Sequence, residues 1–211
     1  MSMSGSFERF AGGCAIAAGI VGFLYAVSFV VLQSVPLSAL FLTLGGLLGS
    51  AVMVGLFGRL REAEPGAALW GLVLGAAGTL GSVAHGGYDL ANAINVPDTI
   101  PPNVANLPSQ IDPRGLLTFG LTGMALLVAA WLIGRGGALP ARLGWWGYLT
   151  GALLVVVYLA RLVVLSPTNP LLLVPVLVTG FVVSPVWYVW LGLALRAEPA
   201  PAPAAAPVRA A

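Results

Sequence analysis

One stretch of the chain gathers the side chains capable of chemistry. GSVAHGGYDLANAIN, from Gly81 to Asn95, holds the only histidine together with a tyrosine, an aspartate and two asparagines. On a helix, Ser82, His85, Asp89 and Asn92 share one face, with Tyr88 beside His85 and Asn92. An imidazole four residues before a carboxylate suits three tasks: two ligands for a metal, a proton relay near neutral pH, or a hydrogen-bonded brace. A zinc site needs at least a third protein ligand, and only Asp98 or Asp112, folding back from a loop, offers one. Haem held by two histidines is impossible in a chain with one. Serine proteolysis needs its serine and histidine on separate elements facing an oxyanion hole, whereas Ser82 and His85 lie on one helix face. No glycine-rich phosphate loop follows a strand, and no paired carboxylates suggest acid–base work. The expectation is no enzyme, no catalytic residue, no metal and no cofactor.

The elements that must position this stripe are set by composition. Of 211 residues, 59% are apolar and only 8% charged, which places the chain in lipid rather than among soluble domains. All nine basic residues are arginines, too scattered for a nucleic-acid footprint, so no nucleic-acid partner is expected. The single cysteine, Cys14, excludes an internal disulfide and a cysteine metal cluster. Crossing the hydrocarbon takes about 20 apolar residues in a helix. Runs of that kind fall at approximately 11–32, 37–57, 67–91, 116–133, 143–165 and 171–195. The first is too long for a secretory signal core. The expected fold class is therefore all-α, a polytopic membrane helix bundle of six transmembrane helices within residues 1–197. Residues 95–114 carry prolines at 97, 101, 102, 108 and 113 and read as an irregular external cap. Residues 198–211 alternate proline and alanine and read as a disordered tail.

Arginines give the orientation. With the N-terminus inside, Arg9, Arg59, Arg61, Arg135, Arg142, Arg196 and Arg209 are cytoplasmic, leaving Arg114 and Arg161 near the outer side. The topology is N-in/C-in. Trp70, Trp131, Trp145, Trp146, Trp187 and Trp190 fall at the inner ends of helices three to six, where interfacial anchoring is expected. Gly71, Gly75, Gly78 and Gly81 make a small-residue face on helix three, and Pro175 and Pro185 permit kinks in helix six.

The turn ALPARLGWWGYLTG, residues 138–151, resembles the proline-arginine-leucine-glycine turn of a family of small six-span bacterial integral membrane proteins known as a domain of unknown function. Pro140, Arg142, Leu143, Gly144, Gly147 and Gly151 carry the resemblance. It implies the six-span layout and brings no activity with it.

Helices three and five run the same way, which sets Tyr158 and Arg161 at a depth similar to His85. The expectation is an outer-side polar pocket between helices three and five, built from His85, Tyr88, Asp89, Asn92, Tyr158, Arg161 and Asp112. Within it Arg161 bonds Asp89 or Asp112, or else snorkels to the outer headgroups, because a charge a turn inside the interface needs one or the other. An accessory or scaffold subunit acting through helix packing fits this inventory, its partners the lipid bilayer and other membrane protein subunits. The alternative is a carrier or sensor of a small ligand, lipid or proton at that pocket. Either would be a multi-pass protein of the bacterial plasma (inner) membrane.

Overall fold

The structure, a computed structural model, describes residues 5–95, 111–164, 166 and 169–197. The tail at 198–211 and most of the cap, including Asp98 and the prolines at 97, 101, 102 and 108, lie outside the described residues.

Six helices are long and apolar enough to cross a membrane: α1 (Gly5–Val31), α2 (Val35–Leu60), α3 (Pro65–Ile94), α4 (Pro113–Gly136), α5 (Ala141–Val163) and α6 (Pro170–Arg196). No strand occurs among the described residues. Local sequence sets several of the starts. Pro65 opens α3, where its missing N–H costs nothing, and the Glu64 carboxylate accepts the Ala67 N–H at 2.8 Å. Asn169 caps α6 in the same way, accepting from Leu171 N–H ahead of the chain's turn into the membrane. Every helix begins one to six residues ahead of its apolar run, and four of them also end one to three residues beyond it, while α1 and α5 stop one and two residues short.

Each helix packs on its neighbours in sequence, and α6 returns against α1, which closes the bundle into a ring. Glycines set the closest seams. A Cβ on Gly192 of α6 would lie 2.5 Å from the Gly12 carbonyl oxygen of α1, and one on Gly46 of α2 would lie 2.6 Å from that of Thr79 in α3. The glycine face of α3 divides: Gly71, Gly78 and Gly81 meet Val128, Thr122 and Leu117 of α4, while Gly75 meets Met53 of α2. Gly144, Gly147 and Gly151 of α5, part of the Pro140 turn motif, pack on Ile133, Trp187 and Leu127.

Both ends of the described chain lie on one face of the bundle. There Arg59, near the end of α2, pairs with Glu8 at the start of α1 and donates to the Leu195 carbonyl at the end of α6. The half of the bundle nearest this terminal face holds the apolar core, centred on Val52, Leu56, Leu126, Leu143, Trp187 and Leu191. Trp187 differs from the interfacial anchor expected of it. It is fully buried, and its indole N–H donates to the Leu143 carbonyl at 3.2 Å, a bond available only inside the α5–α6 seam. Trp145, by contrast, is 74% exposed, and Trp131 lies under the Arg135 guanidinium at 4.6 Å.

The opposite half is looser, because three helices lose their α register there. Val27–Val31 of α1, Leu116–Leu121 of α4 and Thr179–Val183 of α6 are π-helical. In α6 the π turn lies between Pro175 and Pro185, and its wider register relieves the clash of a proline ring with the carbonyl a turn before it. In α1 the register shift is visible in the Leu32 N–H, which reaches back five residues to the Val27 carbonyl at 3.0 Å.

Candidate functional site

His85 is buried on α3 and held from both sides of its ring. Its Nε2 lies 3.2 Å from Asp89, one turn further along the same helix. Its Nδ1 lies 3.7 Å from Asp112 and 3.4 Å from the Thr118 hydroxyl, both brought by α4. Asp89 faces the cap side with its side chain 29% exposed, whereas Asp112 is 2% exposed.

Asp112 reaches this place through a tight turn. Arg114 and Gly115 are both left-handed, at φ 66° and 78°, which folds the chain back over the start of α4. Glycine accepts that geometry freely; for Arg114 it costs on the order of 1 kcal/mol. The turn sets the Asp112 carboxylate over the first turn of the helix, where it accepts the N–H groups of Leu117 and Thr118, both at 2.9 Å. Those donors have no carbonyl ahead of them within a helix start, so the carboxylate caps them. Burial by itself would raise the Asp112 pKa. The close approach of His85 and the hydrogen bonds from the Thr118 and Leu117 N–H groups outweigh burial and hold the carboxyl well below the usual carboxylate range.

The structure brings His85, Asp89 and Asp112 together and separates the remaining candidates. Arg161 bonds neither aspartate; its guanidinium lies over the Phe119 ring at 5.3 Å. The reason is the path of α4, whose π segment packs between α3 and α5 and whose backbone donors occupy Asp112. The pocket expected between α3 and α5 is therefore filled by α4. Tyr158 packs against Gly120 of that segment. Tyr88 and Asn92 are half-buried on α3, and among the described residues no hydrogen bond or ion pair joins either to the His85 group. Among the described residues no three metal-ligating side chains converge on one point. The two aspartates contact opposite nitrogens of the imidazole, so the ring stands between them.

Below this knot, toward the terminal face, lies a cavity of about 140 Å³ at the centre of the ring. All six helices line it. Tyr25 comes from α1, Gly45 and Gly46 from α2, Thr79 and Ser82 from α3, and Leu154 from α5. Thr118, Phe119 and Thr122 come from α4, Ser184 and Tyr188 from α6. The α4 π turn is part of the wall, through Thr118 and Phe119, and two other lining residues are near the remaining π turns in sequence: Tyr25 precedes the first by two residues and Ser184 follows the third. Thr118 is shared, lining the cavity and facing His85 with its hydroxyl. The stripe on α3 is continuous with the wall, since Ser82 and Thr79 follow His85 inward at helical spacing. Sequence reasoning passed over Thr79, Thr118, Thr122, Ser184, Tyr25 and Tyr188. Its available signal was hydroxyl residues at helical spacing inside apolar runs, Thr79 with Ser82 and Thr118 with Thr122. A second crevice, between α2, α3 and α4, is apolar and about 20 Å³, enough for roughly one water.

The hydroxyls of the wall are not idle. Thr79 donates to the Gly75 carbonyl at 2.8 Å, Ser82 to that of Gly78 at 2.9 Å, and Thr122 more weakly to that of Leu117 at 3.5 Å. Their protons are thus turned back onto their own helices. Toward the terminal face the cavity is closed by the apolar core.

Comparison with protein-family models, with curated proteins and with solved structures finds no match to this chain.

Proposed function

We propose that this chain is a multi-pass protein of the bacterial plasma membrane that binds a small polar solute in its central cavity, as a sensor or carrier. In this reading the termini are cytoplasmic, the cap side faces outward, and the His85 knot lies on the outer side of the pocket, touching it only through Thr118. One observation carries it: all six helices contribute to a single cavity with hydroxyls in its wall, where the α4 π turn supplies lining residues and the π turns of α1 and α6 lie close in sequence to others. Each π turn sacrifices regular hydrogen bonding, and such turns gather at functional sites. A bundle with no need of a central space would keep its helices regular and pack them closed, as the terminal half of this one does. The cavity's wall is largely apolar with hydroxyls set into it, the character of a small-molecule site in which a few polar groups fix the ligand. The apolar core on the terminal side favours a site open to one side at a time, as both a sensor and one state of a carrier require.

The test is access to the cavity. In the purified full chain carrying Cys14→Ala, Ser82→Cys should react with the small uncharged reagent methyl methanethiosulfonate, while Val52→Cys, in the apolar core, stays inert. If Ser82→Cys is as inert as Val52→Cys, the pocket reading fails and the accessory-subunit reading, which asks nothing of the cavity, takes its place.

A further inference from the structure

We propose that the solute is uncharged and donates hydrogen bonds, a member of the amide or urea class, and that the cavity wall selects it by offering oxygen lone pairs without charge. This rests on the pocket reading above and names what the pocket takes.

Three features of the wall define the class. The first is charge. Among the described residues, no Asp, Glu, His or Arg lines the cavity. The nearest carboxylates are engaged at the knot, Asp112 by His85 and two backbone N–H groups, Asp89 by His85. Arg161 is placed over the outer ring of the wall, Phe119. A bare ion entering this space would give up its hydration against a wall with no charged side chain among its described residues, which is the costly case inside a membrane. An uncharged solute escapes that cost.

The second feature is hydrogen-bond polarity. A hydroxyl has one proton and two lone pairs. Thr79 and Ser82 spend their protons on the carbonyls of Gly75 and Gly78, and Thr122 directs its proton toward Leu117. Their oxygens therefore remain as acceptors, contributed by both α3 and α4. A ligand that supplies N–H donors satisfies them, and one that offers only acceptors leaves them unpaired, a loss that discriminates strongly in a buried site. The phenols of Tyr25 and Tyr188 supply donors for the carbonyl of an amide or urea.

The third feature is size and shape. About 140 Å³ corresponds to on the order of four or five water-sized atoms. Phe41 and Phe119 add flat apolar faces to the wall. A planar molecule with few heavy atoms, N–H groups at its edge and one carbonyl fits these terms.

The experiment measures protection of a reporter thiol in the purified full chain. With Ala18→Cys, a lining position outside the acceptor set, in the Cys14→Ala background, the rate of modification by methyl methanethiosulfonate is followed with urea, acetamide, sodium acetate or methylammonium chloride present, all well below denaturing concentrations. Urea or acetamide should slow labelling about threefold at a concentration near twice its dissociation constant, following the one-site factor 1 + [L]/Kd. Acetate and methylammonium, similar in size but charged, should leave the rate unchanged. Adding Thr122→Val, which keeps the shape and removes a lone-pair donor, should erase the protection while labelling persists. Leu154→Cys, another lining position outside the acceptor set, gives the same measurement if Ala18→Cys does not fold. Protection by the charged solutes, equal protection by all four, or protection by none overturns the inference. Absence of labelling at both reporters overturns the pocket reading itself, so the two failures are distinct.

Discussion

At the scale of single residues, Asp112 holds the site together. It caps two backbone N–H groups of α4 and faces His85 of α3, so one carboxylate ties a helix start to its neighbour. Asp112→Asn keeps the size but presents an amide to N–H groups that need an acceptor. The expected cost is about 2 kcal/mol, a fall in Tm of roughly 4–8 °C for a chain of this length in detergent. The pH dependence follows from the sign of the shift. The folded carboxyl is depressed, so its contribution is fully present above the free value of about 3.9 and is lost as pH falls below it toward the folded value. Wild-type Tm should therefore decline on acidification below about pH 4, and the decline should be smaller in Asp112→Asn; parallel curves would deny Asp112 this role. The contrast between Asp89 and Asp112 shows what sequence can reveal of such a site. The His85–Asp89 contact is fixed by helix geometry alone and was legible in the spacing. The Asp112 contact depends on the left-handed turn at Arg114 and Gly115, a tertiary event that no spacing displays. Arg161 departs from the expected pairing with an aspartate. The charge did need a partner, and it found the Phe119 ring, while backbone donors had already claimed Asp112.

At the scale of elements, hydropathy located all six helices, because the requirement to cross about 30 Å of hydrocarbon leaves a long apolar run that nothing else in this chain imitates. Which helices touch was only partly legible. The glycines of α3 were read correctly as a close-packing surface, but glycine spacing does not tell which neighbour arrives, and both α2 and α4 did. The π turns left no mark in periodicity, since one extra residue in a helix shifts a face without breaking an apolar run. The glycine seams give a sharp test of the ring closure between α1 and α6. Gly12→Ala would push a methyl group into the Gly192 carbonyl at 2.7 Å, and backbone cannot yield as a side-chain tip does. A loss of about 1–3 kcal/mol is expected, read as a lower Tm. Gly13→Ala, one residue on, meets nothing within 4 Å and should leave Tm unchanged or raise it slightly, because alanine favours the helix by up to about 1 kcal/mol. Equal effects at the two positions would mean that α1 and α6 do not meet along this seam.

At the scale of the whole molecule, the two halves of the bundle divide the labour. The terminal half is a closed apolar core tied across its rim by Glu8, Arg59 and the Leu195 carbonyl. The cap half carries the π turns, the cavity and the His85 knot. Which half faces the cytoplasm decides what the cavity can sample, and charge argues for the terminal one. Arg9, Arg59, Arg61, Arg135, Arg142 and Arg196 belong to helix ends or connections on that face, against Arg114 and Arg161 toward the other. Arginines near span ends are retained on the cytoplasmic side during insertion, so the excess predicts an outward cap. Single cysteines in the Cys14→Ala background make the prediction measurable in intact cells. Asn95→Cys, exposed at the end of α3, should be modified by a membrane-impermeant maleimide added outside. Ala138→Cys, exposed in the turn between α4 and α5, should react only after the membrane is opened. The reverse pattern would turn the cavity toward the cytoplasm. Its hydroxyl wall and its preference for an uncharged donor would be unaltered, because both follow from the lining residues, but the solute would then be an internal one. Sidedness and chemistry are thus separable here: arginines outside the cavity govern the first, and hydroxyls inside it govern the second.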